Sequence, residues 1–582
     1  MLIDARTLPN EEVVETDICV IGTGPAGMTL AHEFAGQDFR VCFLETGGLK
    51  PDDAVQSLSA GEVVGEAYNG LEVSRRRQVG GMANEWSIEL NATQRGVRYA
   101  VLDEVDFEKR DWLPYSGWCF DRAHLEPYYE RAQTISQAGS FTYDVNDWET
   151  EQTPKLPLNS SRVHTNMFQF GPNTAFTQDI RDRVIQSSHL TLYTYANAVE
   201  LETDETAQTV TRVRVACVSG NRFWVAAKFV IVAAGAIESA RLLLLSNQTQ
   251  KTGLGNQHDV VGRFFMDHPF VCAGEFTPVD RQLFNQTTLY DRHQVNNTQV
   301  MAKLSLTDET VRREQVLNMS ALLFPRYPMY QLEAARALKK VFMTQYKYLM
   351  RSSESEGVRA SRQLVETLTH GGSPKDVIKE LRTIGSGLGD IALAAYRKLI
   401  VDPLRPNIPA DLARCGWSEW QHKERTFGYF EVWSQTEQSP DPDNRLTLSD
   451  RLDGLGYRQA KLHWRWRETD RHHVMRAQDI LAEEIARSGL GQLKLYRQGN
   501  TPFLMSPTAH HHMGTTRMHV DPKQGVVNEH CQVHGVSNLF IASSAVFPTG
   551  GYTNPTLTIL ALAVRLADRV KTEMKLCNVA IG

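Results

Sequence analysis

The stretch Asp17-Ile18-Cys19-Val20-Ile21-Gly22-Thr23-Gly24-Pro25-Ala26-Gly27 decides how this chain reads. A short apolar run, Ile18 to Ile21, closes on a glycine-rich turn. Met28, Leu30, Ala31, Phe34 and Ala35 follow at helical spacing, and a second β run, Phe39 to Leu44, ends at Glu45-Thr46. Strand, glycine turn, helix, strand and acid, in that order, are the fingerprint of a dinucleotide site. The glycines permit a tight turn, close approach of backbone to a pyrophosphate and close helix–strand packing, while the helix N-terminus stabilises the phosphate charge. Glu45 falls 18 residues after Gly27, where a carboxylate can bond the hydroxyls of a ribose. An α/β domain with a parallel sheet is expected around this turn.

Working outward, Val79-Gly80-Gly81-Met82-Ala83-Asn84-Glu85-Trp86 is a second glycine-rich turn, which in isolation reads as an ordinary loop. Leu190 to Val199 reads as β, and Lys228 to Val232 is a buried strand closing on Ala233-Ala234-Gly235-Ala236 before another helix. An apolar strand running into small residues and a helix belongs to the same parallel sheet. Texture changes after Asp267-His268-Pro269, where alternating runs predict antiparallel strands and a second domain. Tyr429, Glu431, Trp433, Gln435 and Glu437 alternate onto one face, an aromatic and polar surface suited to roof a sugar. Residues 331–402 are expected to be helical, amphipathic and basic on one side, packing one face and solvating the other.

Chemistry is expected at the far end. His510-His511-His512-Met513-Gly514 is followed by a strand at Asn538 to Ala542, a Gly/Pro-rich loop and a long apolar helix. Asn554 suits the N-cap of that helix and Pro555 its first turn. A buried helix starting there directs partial positive charge at whatever precedes it. Three adjacent histidines also suggest a metal site. Consecutive residues of an extended chain point to opposite faces, however, and no HExxH or Cys/His spacing supports zinc, so no metal is expected.

Composition sets outer limits. The 582 residues carry a net charge of −6 with 42% hydrophobic and 22% charged residues, which offers nucleic acid no basic footprint. Eight scattered cysteines form no CxxC or CxxCH pair and read as reduced thiols, so a haem partner would have to be a separate subunit. An acidic N-terminus without an apolar core and the lack of a long apolar run predict a cytoplasmic chain with no signal peptide or membrane span. Oligomeric state is not legible.

Four separated motifs agree. The Gly22 fingerprint, the Gly80-Gly81 turn, the Ala233–Ala236 strand end and the His511…Asn554-Pro555-Thr556 pair together resemble the glucose–methanol–choline (GMC) family of flavin oxidoreductases. Gly514-Thr515-Thr516-Arg517-Met518, Asp267-His268-Pro269 and Pro442-Asp443-Asn444-Arg445 are similar to its bacterial branch of pyranose oxidases, glycoside 3-oxidases and sugar dehydrogenases. The resemblance implies an FAD-binding Rossmann-like domain built from residues 1–125, 160–270 and 505–582. Residues 126–159 and 271–504 would form an α+β substrate domain with a largely antiparallel sheet, interrupted by the helical insertion 331–402.

The same resemblance implies that FAD is met by Gly22, Gly24, Pro25, Ala26, Gly27, Glu45 and Thr46, by Val79, Gly80, Gly81, Ala83, Asn84 and Trp86, and by Ala198, Val199, Ala233, Ala234, Gly235, Ser543, Asn554, Pro555 and Thr556. The family register places the catalytic histidine three residues before Gly514, on His511, with Asn554 as its partner; Trp433 and Gln435 would face substrate. Where pyranose 2-oxidases carry a flavin-linked histidine before the tryptophan of the glycine turn, this chain has Glu85, which predicts non-covalent FAD. The implied reaction is oxidation of a secondary hydroxyl of a sugar or glycoside to a ketone, with electrons passing to O2 or a quinone-type acceptor. Alternatives are dehydrogenation of a non-sugar alcohol with a separate electron-transfer partner, or a non-redox FAD lyase. A neutral imidazole, of reference pKa about 6.5, suits the proton transfer that hydroxyl oxidation needs.

Overall fold

A computed structural model describes residues 1–158, 161–328, 412 and 415–579; the expected helical insertion 331–402 lies outside the described residues. The fingerprint strand, Val13–Ile21, sits mid-sheet, and Ile18, Cys19 and Val20 are fully buried, as a strand covered on both faces requires. It pairs in parallel with Val41–Leu44 on one side and with Arg222–Val232 on the other. Strand order runs Leu2–Asp4, Leu190–Thr194, Val41–Leu44, Val13–Ile21, Arg222–Val232, and Leu539–Ile541 adds in parallel to the upper half of the last. Direction of progress through the sheet therefore reverses at Val13–Ile21. The carboxyl ends of the strands on either side of such a reversal open a crevice, the usual ligand site of doubly wound sheets.

The β run expected at Leu190 to Val199 is two strands of this sheet, at separated positions in its order. Tyr195 takes a left-handed conformation (φ 59°) between Leu190–Thr194 and Asn197–Thr203, and the Ala196 N–H donates to the Glu45 carbonyl at 2.8 Å. The chain thus crosses the carboxyl end of the sheet, which carries Ala198 to the crevice.

A second, eleven-stranded antiparallel sheet is built mostly from strands beyond Asp267 among the described residues. Its order includes Phe270–Pro278, Tyr429–Thr436, Met319–Arg326, Thr298–Leu306, Val163–Pro172, Arg95–Tyr99 and Ile88–Glu89. Residues 88–99 and 163–172, grouped with the nucleotide domain on sequence, thus supply three of its strands. Four pairing steps separate Tyr429–Thr436 from Arg95–Tyr99. In a flat sheet that is about 19 Å at about 4.8 Å per strand. The Arg98 and Gln435 side chains nevertheless touch, so the sheet curls into a trough over the first domain. Helix Glu468–Arg487 covers its other side, burying Ala477, Ile480, Leu481 and Ile485 in that core.

The final helix, Thr556–Val579, is the spine of the first core. Leu557, Leu560, Ala561, Ala563, Val564, Ala567 and Val570 are fully buried, packed against helices Pro25–Phe34 and Arg122–Ile135. Asp121 caps helix Arg122–Ile135, its side chain accepting from the His124 N–H. No described helix is long and apolar enough to cross a membrane.

Candidate active site

One cavity of about 580 Å³ runs from the Gly22 turn to the C-terminal histidines. At the nucleotide end it is lined by Gly22, Gly24, Pro25 and Ala26, with Glu45 and Thr46 from the next strand end. Gly81 and Trp86 come from the second glycine turn, Ala198 from the crossing strand, and Ala233, Ala234 and Gly235 from the end of the long strand. Ser543, Asn554, Pro555 and Thr556 line it from the C-terminal segment.

Backbone geometry explains the glycines here. Gly22 has φ 101°, and a Cβ on it would sit 2.7 Å from the Ala233 carbonyl oxygen; one on Gly27 would sit 2.1 Å from the Gly22 oxygen. Those two close the turn on its neighbours. A Cβ on Gly24 meets nothing within 4 Å and would fill cavity space instead, which is the cradle a pyrophosphate needs at the start of helix Pro25–Phe34. Glu45, buried, accepts from the Thr23 N–H (3.2 Å), the Thr23 hydroxyl (2.6 Å) and the Gly47 N–H (2.9 Å), which aim it at the cavity. A cradle, a helix start and a directed carboxylate in one crevice fit an adenine dinucleotide.

Gly27, Val79, Gly80, Ala83, Asn84 and Val199 do not reach the cavity wall; they shape it. Asn84 donates to the Val79 and Gly81 carbonyls (3.0 and 2.9 Å), and the Gly80 N–H donates to Thr23 O (3.0 Å), so the second turn is tied to the first. Trp433 also stands off the cavity, its ring tilted against Phe324 (ring centroids 4.5 Å) and edge-on to Phe270 (5.8 Å). Alternation put Trp433 and Gln435 on one face correctly, but the curl of the sheet brings Gln435 to the cavity and gives the place beside it to Phe270.

The histidine end is organised by Asp267, which is fully buried. Its Oδ1 accepts from the backbone N–H groups of His268 (2.6 Å), Ala509 (3.2 Å) and His511 (3.0 Å), and its Oδ2 accepts from the Tyr68 and Thr508 hydroxyls. Two backbone bonds between Met266 and Met513 continue the clamp. His510 takes φ 61°, a conformation rare for a residue other than glycine. His510, His511 and His512 all line the cavity, His512 the most buried and beside Phe265.

Hydrogen-bond logic assigns the tautomers. Gln435 Nε2 lies 2.6 Å from the Tyr552 carbonyl oxygen, which only accepts, and its Oε1 meets Arg98 Nη2, which only donates. The amide orientation is therefore settled, and its second N–H faces His268 Nδ1 at 3.1 Å. That nitrogen must accept, because a proton on it would oppose the Gln435 N–H. His511 Nδ1, 2.9 Å from the same atom, then donates. Neutral His511 carries its proton on Nδ1 and keeps the lone pair of Nε2 for a ligand. In the same way Asn554 Oδ1 accepts from Arg98 Nε at 2.9 Å, which fixes the carboxamide and directs its N–H2 group away from Arg98.

Burial, together with the neighbouring His268, Arg98, His510 and His512, holds the His511 pKa well below its ordinary value. His268 is pushed down to about 4, chiefly by burial. An imidazole so placed is neutral, and able to accept a proton, across the physiological range. Sequence reasoning missed three contributors. Arg98 gave no signal beyond an Arg in a β run. His268 stands in the Asp267-His268-Pro269 motif with nothing local to mark a role of its own. The run Arg75-Arg76-Arg77 stood in plain view before the second glycine turn, and all three line the cavity. Among them Arg77 pairs with half-buried Glu238 at 3.0 Å, beside Arg75 and Arg241. Burial opposes ionisation of Glu238, but these charges outweigh it and keep the carboxyl well below its usual range. No group of His, Cys, Asp and Glu positioned to hold a metal ion occurs among the described residues.

Comparison with known proteins agrees with this geometry. Residues 17–264 match the family model of an FAD binding domain, and residues 440–563 match that of the GMC oxidoreductases. The chain is 31% identical over 154 residues to the fructose dehydrogenase large subunit of Gluconobacter japonicus, covering 26% of this chain and 27% of that one. It is 36% identical over 126 residues to a C-glycoside 3-oxidase of Arthrobacter globiformis, covering 21% and 23%. The matched stretches thus span about a quarter of the length of these curated relatives. A solved FAD-dependent oxidoreductase from Chaetomium thermophilum superposes with a TM-score of 0.50 at 14% identity, covering 96% of this chain and 100% of that one, a likeness of fold. This chain thus carries an FAD binding domain in residues 17–264 and a GMC oxidoreductase domain in residues 440–563, and the two line one cavity.

Proposed function

We propose that this protein oxidises a secondary hydroxyl of a sugar or glycoside to a ketone, using FAD bound in the cavity described. The observation that supports this reading is the joined cavity, which is lined by His511 and Asn554 as well as by the nucleotide cradle. Gly22, Gly24, Glu45, Gly81 and Ala233–Gly235 would hold the cofactor, which when bound supplies the two-electron acceptor for the carbon-bound hydride.

The protein's own part is proton handling and orientation. His511 Nε2 takes the hydroxyl proton, and its Nδ1–H stays on His268, so the imidazolium that forms keeps its partner. The Asn554 N–H2 group donates to the substrate oxygen as negative charge develops there, a stabilisation on the order of 3–4 kcal/mol in comparable sites. The N-terminus of helix Thr556–Val579 adds positive potential at the same corner.

The sugar class is supported by the names of the relatives, a fructose dehydrogenase and a C-glycoside oxidase, and by a polar corner built from Gln435, Asn554 and His511. FAD is held without a covalent bond in this reading: Glu85, in ion-pair contact with Arg76 at 3.3 Å, stands where a linking histidine would. The acceptor is O2 or a quinone. Anaerobic mixing with pyranoses and glycosides, followed by product analysis, tests the proposal: bleaching of the flavin and a keto-sugar are expected. Flavin that stays oxidised with every sugar and is bleached only by simple alcohols would overturn the substrate class, and lyase turnover without bleaching would overturn the redox assignment. Yellow flavin remaining in an acid-precipitated pellet would contradict non-covalent binding.

A further inference from the structure

We propose that Arg98 is a positioning residue of this site: it locks the Asn554 and Gln435 carboxamides in the one orientation that serves substrate, and acts on the His511–His268 pair as a fixed positive charge. The inference rests on the catalytic reading above and extends it to a strand of the second sheet, Arg95–Tyr99, that the nucleotide fingerprint does not touch.

Geometry carries the first half. Arg98 Nε donates to Asn554 Oδ1 at 2.9 Å while Nη2 donates to Gln435 Oε1. Both amides thereby show their N–H2 ends elsewhere: Gln435 to Tyr552 O and His268 Nδ1, Asn554 toward the cavity it lines. A guanidinium reaches both because its donors diverge in a rigid plane, which an ammonium cannot reproduce.

The second half follows from what Arg98 lacks. It is 3% exposed, its guanidinium lies 4.8 Å over the Phe168 ring, and it forms no ion pair among the described residues. Nη1 has no hydrogen-bond partner. Buried charges are ordinarily paired, so a solitary one beside a catalytic corner needs a reason. Its effect is felt by both histidines, whose protonation it opposes. The other groups facing His511 are His268, His510 and His512, which act in the same sense. Asp267 acts in the opposite sense on His268. Lys303, over the other contact of Phe168 at 3.9 Å, is pushed down to about 7 by burial, so Arg98 is the charge that persists as pH rises. The same charge favours oxyanion character on a substrate held by Asn554.

Arg98→Lys and Arg98→Met holoenzymes separate the two roles. The lysine variant keeps the charge and loses the fork: anaerobic flavin reduction should slow at least tenfold at saturating sugar, with the acidic limb of its pH profile in place. The methionine variant should slow at least a hundredfold and move that limb upward by about one unit. Nitrogen-15 NMR titration of His511 in the FAD-loaded protein without substrate should show the same upward move, a readout that survives if sugars prove to be the wrong substrates. Wild-type reduction rates in the lysine variant would overturn the fork, and an unmoved His511 titration in the methionine variant would overturn the charge. Should the methionine variant fail to retain FAD, Arg98→Gln, which keeps a polar end without charge, gives the same titration.

Discussion

The two ends of the cavity are built in opposite ways. At the Gly22 end the phosphate cradle and its carboxylate come from thirty consecutive residues, and the working parts of the cradle are backbone: a glycine turn, a helix start, a strand end. At the His511 end the parts are side chains gathered from Arg98, Asp267-His268, Gln435, His511 and Asn554, segments that only the folded sheets bring together. Local backbone chemistry is readable in sequence, because strand, turn and helix each leave a periodic or compositional mark. A side-chain network spread over 456 residues, the Arg98–Asn554 separation, leaves none.

If that contrast is right, the nucleotide end breaks at a single methyl-sized intrusion. Gly27→Val would press its Cβ to 2.1 Å from the Gly22 oxygen, inside any allowed contact. Flavin absorbance per protein after gel filtration should fall at least a hundredfold, and a variant that stays yellow would contradict the turn's role.

Next in size, the histidine end should fail through a residue remote from the cofactor cradle. Asp267→Asn keeps shape but replaces an all-acceptor carboxylate with a group whose N–H2 either confronts three backbone N–H donors or forces the Tyr68 and Thr508 hydroxyls from donors into acceptors. A loss of about 1–3 kcal/mol in stability is expected from such an unmatched buried group, together with a drop of about a hundredfold in flavin reduction while FAD content stays near wild type. Equal loss of FAD and reduction would erase the distinction between the ends.

Acid should act on the histidine end through three buried imidazoles. His511, His512 and His268 are all held below their ordinary pKa, first by burial. Unfolded histidines take up protons near pH 6.5 while these do not, so the unfolded state binds more protons and stability falls as pH drops below that value. Three such groups contribute a slope of up to about 4 kcal/mol per pH unit. Melting temperature followed from pH 7 to 5 should decline, and His512→Phe should flatten the decline. Activity, by contrast, should persist below pH 6.5, since His511 remains unprotonated there.

The smallest effect is expected at Trp433. Standing behind Phe270 and off the cavity, it should tolerate Trp433→Phe with less than a threefold change in kcat/KM, whereas Gln435→Leu should cost far more.

Legibility followed the same division. Strand alternation placed Tyr429 to Glu437 in a β-strand and paired Trp433 with Gln435 on one face, yet which of them meets the cavity depends on how the sheet curls. Curl is a property of eleven strands together. The β run from Leu190 looked continuous because Tyr195 and Ala196 are compatible with a strand; its break is imposed by backbone bonds to Gly47 and Glu45 carbonyls far earlier in the chain. His511 and Asn554 were named from a resemblance, and the pairing that gives them tautomer and orientation came only with Arg98, His268 and Gln435 in place.

The most direct measurement is the anaerobic flavin-reduction rate of His511→Ala against wild type, with a sugar or glycoside that bleaches the wild-type flavin. With FAD content matched, a fall of at least a thousandfold, partly restored at high pH where hydroxide can take the proton, is the expected result. Reduction at the wild-type rate would show that the proton leaves by another route and that His511 Nε2 is not the base.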